Sequence, residues 1–265
     1  MAAGVAVAAA LVGCGAHSVQ ASTHASFAPP SSVPALPQPS QRCGTPDTPA
    51  LTLRFRAADG VQLDGAIVGT GPVGAVLLHE YPGPMCGWWP YAVYLARHGI
   101  HVLLFDFRCL GLSACPPSGR ADPVADTAGA MRTLHARGAR SIALIGASLG
   151  GVVAVLAGAR LHPAAIVDLS GERNLTGLLP GPPLDAFAAA PAVRAPALFI
   201  VARADPHVTV GDMRAVFAHA GTRSKQLLVL PADAGHGWDM LTGSGGSWSP
   251  LAGRVLRFIT THARP

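Results

Sequence analysis

Between one apolar run, Ser141–Ala147, and a second, Leu149–Arg160, the chain reads Gly146-Ala147-Ser148-Leu149-Gly150-Gly151. The first run has the length and bulk of a buried strand, and the second is long enough for a helix. With no loop between them, the corner residue Ser148 must take a strained backbone while neighbouring elements crowd it. Gly146 and Gly150, two residues to either side, remove side chains that would collide there, and Ala147 and Gly151 keep the surroundings small. The same turn leaves the Leu149 amide at a helix N-terminus, where it can bind developing negative charge. A phosphate-binding loop would need a lysine after the glycines, and none follows.

The rest of the chain repeats this alternation. A short antiparallel start (Leu51–Phe55, Val61–Val68) leads to Ala75–His79, a helix over Pro90–His98, a strand over His101–Phe107 and a helix over Pro123–Arg137. After the central turn come Ala164–Leu169, Ala197–Ala202, a helix near Gly211–Ala220, Gln226–Leu230 and a closing helix over Ser249–His262. Strands that read as continuous apolar runs, separated by helices, predict a mostly parallel sheet covered on both faces. With 50% hydrophobic and 12% charged residues, the chain has material for a sizeable core. The formal charge of +5 carries no nucleic-acid signal, because its 18 Arg and single Lys are scattered along the chain.

On these residues the chain resembles the α/β-hydrolase superfamily, over nearly all of residues 51–265. The resemblance implies a mostly parallel central sheet of about eight strands with helices on both faces. It also implies a serine nucleophile, Ser148, on the G-x-S-x-G elbow. His79-Glu80-Tyr81-Pro82-Gly83 looks like the family's oxyanion loop, which makes the Tyr81 amide the second oxyanion donor beside that of Leu149; Glu80 stands where glycine is usual. Phe105-Asp106-Phe107-Arg108-Cys109-Leu110-Gly111-Leu112-Ser113 resembles the family's D-x-R-G-x-G-x-S turn, with Cys109 in place of a glycine. His79, Asp106 and Arg108 read as scaffold for these loops.

A serine hydroxyl needs a base within reach, and the base needs an orienting carboxylate. In the family these follow the serine in the order acid, then histidine. Of His162, His207, His219, His236 and His262, only His236 lies in a glycine-flanked loop, Asp233-Ala234-Gly235-His236-Gly237, just beyond a strand. Among Asp168, Glu172, Asp185, Asp205, Asp212 and Asp233, Asp205 follows the strand-like Leu198-Phe199-Ile200-Val201-Ala202-Arg203-Ala204 and so sits at a strand's C-terminal end, where open sheets place their sites. Asp168 and Glu172 fit a variant arrangement.

The N-terminus reads as a targeting segment. Ala2–Val12 is an apolar run too short to cross a bilayer, and Leu11-Val12-Gly13-Cys14 resembles a bacterial lipobox, although no Lys or Arg precedes the run. The expectation is a signal segment over residues 1–21, a Pro/Ser-rich tether over 22–50 and a hydrolase domain over 51–265. Lipid on Cys14 would then hold the protein at the membrane surface outside the cytoplasm. The alternative is plain secretion with cleavage farther on, for example after Ala21. Cys43, Cys86, Cys109 and Cys115 remain for disulfides. The shortest loop joins Cys109 to Cys115 and leaves Cys43 for Cys86, while Cys86 and Cys109 both follow strands expected to be neighbours.

Together these features predict an exported serine hydrolase that cleaves carboxylic esters through Ser148, His236 and Asp205, resembling the dienelactone-hydrolase-like branch with small lids. Its substrate would be a small-molecule ester. Peptidase or thioesterase activity on the same residues and a non-catalytic binding protein on the same fold are the alternatives. No dinucleotide fingerprint and no metal-ligand spacing occurs, so neither a cofactor nor a metal is expected. The short stretch between Leu169 and Ala197 leaves no room for a large lid, and Trp88, Trp89, Tyr91, Trp238 and Met240 belong either to the core or to an apolar cleft.

Overall fold

A computed structural model describes residues 1–4, 36–44 and 48–264. Cys14 and the expected lipobox lie outside the described residues, as does most of the stretch assigned to the tether. Residues from Leu36 onward form one compact unit.

Its frame is an eight-stranded sheet. Strands β1 (Ala50–Arg56), β2 (Gln62–Val68), β3 (Val73–Leu78), β4 (His101–Phe105), β5 (Ser141–Ala147) and β6 (Ala165–Leu169) are followed, after a small separate hairpin, by β9 (Ala197–Ala202) and β10 (Lys225–Leu230). The spatial order is β1-β2-β4-β3-β5-β6-β9-β10. Only β2 runs against its neighbours β1 and β4; the others are parallel.

The continuous apolar runs are explained by burial on both faces. Along β5, Ile142 and Leu144 join one core while Ala143, Ile145 and Ala147 join the other, as the two-residue period of a strand requires. On the first face pack α3 (Pro123–His135), α4 (Leu149–Leu161) and α6 (Val210–His219); on the second pack α2 (Trp89–Arg97) and α7 (Pro250–His262). Helix starts follow local chemistry. Asp122 caps α3 by accepting from the Ala125 amide at 3.0 Å, ahead of Pro123 in the first turn.

The stretch between β6 and β9 holds a two-stranded hairpin, β7 (Asn174–Leu175) with β8 (Leu184–Asp185), and the four-residue helix α5 (Ala186–Ala189). Strands of two residues carry no readable period, so the sequence does not announce them.

The N-terminal boundary differs from the expectation. Helix α1 (Pro39–Cys43) falls inside the stretch read as tether, yet it belongs to the compact unit and is fastened to it by a Cys43–Cys86 disulfide. The second bridge is Cys109–Cys115, so Cys86 and Cys109 are not paired with each other. Cys109 takes φ 64°, the left-handed backbone for which the related turn uses glycine.

Candidate active site

Loops from five consecutive parallel strands (β3, β5, β6, β9, β10) open at their C-terminal ends, and Tyr81, Ser148, Asp205 and His236 lie on them. Ser148 is the corner between β5 and α4, with φ 51° and ψ −117°. Steric crowding holds it there. A Cβ on Gly146 would run into the carbonyl oxygen of Gly150, and one on Gly150 into that of Leu78. The Ser148 amide is fixed to the Leu169 carbonyl of β6 at 2.9 Å. Its side chain is half-buried and, among the described residues, makes no hydrogen bond.

His236 reaches the same corner from the loop after β10. Its Nδ1 lies 2.9 and 3.0 Å from the two carboxylate oxygens of Asp205. The next residue, Gly237, packs close enough to Ala147 that a Cβ there would stand 3.3 Å from the alanine's own. The Asp205 side chain is fully buried and that of His236 14% exposed. Burial by itself would raise the Asp205 pKa, but hydrogen bonds from His236, Ser170 and the His207 amide outweigh it and bring it to about 2. Burial likewise works against the imidazolium, yet the hydrogen bond and charge of Asp205, with Glu80 and Glu172 beyond it, raise the His236 pKa above its ordinary value.

The other carboxylates are placed differently. Asp168 is wholly buried beside α4, accepts from the Gly171 amide at 2.6 Å and is pushed up to about 7 by burial. Glu172 contributes charge near His236 but no hydrogen bond to it.

Next to Ser148, Leu149 opens α4, so its amide is among the donors that a helix leaves without an intrahelical partner. The first turn of α4 packs on the backbone of Leu78 and His79, two residues before Tyr81. His79 is buried; its Nδ1 donates to the Glu80 carbonyl at 2.6 Å and its Nε2 accepts from the Phe107 amide at 3.0 Å. Asp106 accepts from the Met85 and Leu112 amides at 2.9 and 2.8 Å, and Arg108 pairs with Asp59 and Asp126. All three serve as loop scaffold.

Two residues here escaped sequence reasoning. Ser170, wholly buried, accepts from the Gly237 amide at 3.2 Å, donates toward Met240 Sδ at 3.9 Å and helps to lower the Asp205 pKa, so it links Asp205 to the His236 loop. Nothing beyond its place just after a strand could have marked it. The Glu80 carboxylate accepts from the Trp238 amide at 2.9 Å and fills the space beside Gly237, whose φ is 52°. Its one signal was the substitution of glutamate for glycine in the loop motif.

The aromatic cluster belongs to the core. Trp88, Trp89, Tyr91 and Met240 are buried, and Trp238 is half-buried with its ring edge-on to Trp88 at 5.8 Å. Beside His207, whose ring packs on His236 at 4.8 Å, lies instead a polar cavity of about 200 Å³ bordered by Glu172, Arg173, Asn174 and Asp212.

No protein-family model matches the chain, and no curated protein matches its sequence. Solved structures match well in shape. An esterase from Pyrococcus furiosus is 19% identical, covers 87% of this chain and 95% of its own, and superposes with a TM-score of 0.71. An enol-lactonase from Burkholderia xenovorans is 17% identical over 78% of this chain and 99% of its own, with a TM-score of 0.62. A serine hydrolase without a lid from Xanthomonas campestris is 20% identical over 83% and 97%, with a TM-score of 0.58. The shared frame, the strand order and the loops that converge at its C-terminal end establish that this chain has the α/β-hydrolase fold.

Proposed function

We propose that the protein hydrolyses small carboxylic esters through Ser148, His236 and Asp205. The observation that carries this reading is the hydrogen-bonded pair of His236 with a fully buried Asp205, set against the strained elbow that presents Ser148. In the reaction, His236 Nε2 takes the proton of Ser148 Oγ as the oxygen attacks the acyl carbon. The amides of Leu149 and Tyr81 stabilise the oxyanion. The C–O bond of the ester breaks, the departing alcohol takes the proton from His236, and the acyl group stays on Ser148. Water, activated by the same histidine, then releases the acid.

The polar cavity beside His207 and the burial of the aromatic cluster favour short or polar acyl groups over long alkyl chains. The esterase and enol-lactonase among the structural relatives agree with an ester or lactone substrate. A fluorophosphonate probe should label the protein, and p-nitrophenyl acetate should be cleaved faster than p-nitrophenyl palmitate. Absence of labelling in folded protein would instead identify a binding protein on this fold. A preference for peptides or thioesters would move the assignment to those acyl bonds.

Lipidation of Cys14, with the domain held outside the cytoplasm, belongs to the same proposal and rests on the lipobox-like sequence. Mass spectrometry of the protein from its native host should show the first 13 residues absent. An intact Met1 terminus there would refute it.

A further inference from the structure

We infer that residues 39–43 are a strap that positions the oxyanion loop, with Arg42 and Cys43 as positioning residues of the reaction. The inference rests on the hydrolase reading above. The strap meets the site at two points. Cys43 is bonded to Cys86, in the single turn of 3-10 helix Met85–Trp88 that directly follows the His79–Gly83 loop. Arg42 pairs with Oδ2 of Asp106, whose side chain is fully buried while that of Arg42 is 12% exposed.

Asp106 is the hub through which Arg42 acts. Its Oδ1 accepts from the Met85 amide, and Oδ2 also accepts from the Leu112 amide. The following residue, Phe107, donates its amide to His79. One guanidinium therefore neutralises a buried carboxylate that pins the Met85 end of the oxyanion loop, while the amide of the next residue, Phe107, holds the His79 end. A buried charge that loses its partner is costly, and the least costly escape is for the loop to shift or open to water.

The turn that carries Cys86 touches the rest of the site as well. Trp88 Nε1 donates to the Leu78 carbonyl at 2.8 Å, at the root of the loop. The Trp238 ring, two residues beyond His236, lies so close over Gly87 that a Cβ there would enter it. Displacing Cys86 therefore disturbs the loop that carries Tyr81 and the neighbour of the base together. Oxyanion donors act mainly in the transition state, and small errors in their position cost rate rather than binding. The strap thus affects kcat more than KM.

Full-length Cys43→Ser, Arg42→Gln and Arg42→Lys test this with two readouts. Amide hydrogen exchange over residues 79–88 reports the loop directly. Steady-state kinetics with p-nitrophenyl acetate report the chemistry. Cys43→Ser and Arg42→Gln should exchange faster over 79–88 and lose about 10- to 100-fold in kcat with KM within about twofold. Arg42→Lys should recover most of the rate. Arg42→Gln keeps the disulfide and carries the test if Cys43→Ser does not fold. Unchanged exchange, or unchanged kcat despite faster exchange, overturns the strap while leaving the hydrolase reading intact. A wild type that neither takes the probe nor cleaves ester overturns the hydrolase reading, and the strap's catalytic role with it.

Discussion

Ser148→Ala should lower kcat by at least about 10⁴-fold, abolish fluorophosphonate labelling and leave the melting temperature within a few degrees of wild type. The loss is large because no other group can form the acyl intermediate. Stability is spared because, among the described residues, the Ser148 hydroxyl makes no hydrogen bond. The elbow itself is held by backbone contacts, namely the Ser148 amide on the Leu169 carbonyl and the close approach of Gly146 to Gly150. Alanine accepts that backbone at the same steric cost as serine. Turnover that survives in the folded variant would remove Ser148 from the mechanism and with it the whole proposed reaction.

Asp205→Asn should cost about 10³- to 10⁴-fold in kcat, since the amide favours the wrong histidine tautomer and no longer stabilises the imidazolium. It should also shift the pH profile. In the wild type Asp205 raises the His236 pKa, so kcat/KM should rise with pH along a limb centred above the ordinary histidine value of 6.5. Without that carboxylate the limb should move to lower pH, as burial then opposes the imidazolium with less compensation. Glu172→Gln should cost far less activity because Glu172 does not hydrogen-bond His236. Asp168→Asn offers a second contrast. Burial holds the Asp168 carboxyl protonated to about pH 7 in the fold, whereas the unfolded chain releases the proton near pH 4. Wild-type stability therefore falls as pH rises through that window, and Asp168→Asn should gain in melting temperature over wild type across it while staying active. An inactive Glu172→Gln beside an active Asp205→Asn would move the acid to the end of β6.

The sheet and the elbow were legible in the sequence because each is a local pattern. A strand buried on both faces needs an unbroken apolar run, as in Leu198–Val201, and a strand that turns straight into a helix needs small residues around its corner, as at Gly146 and Gly150. The loops holding Asp205 and His236 could be named for the same reason: each directly follows such a run. Other features are made only by side chains that meet across the fold. The burial of Ser170 between Asp205 and Gly237, and the contact of Glu80 with Trp238, depend on strands brought side by side from distant parts of the chain. Helix α1 is the clearest instance. Its Pro/Ser-rich surroundings bury too little apolar surface to fold alone, and read in isolation they describe a tether. What orders Pro39–Cys43 is a covalent bond to Cys86 and a buried carboxylate at Asp106, 43 and 64 residues farther along the chain. Such partners leave no trace in local composition, and only the tertiary structure decides that this segment belongs to the domain.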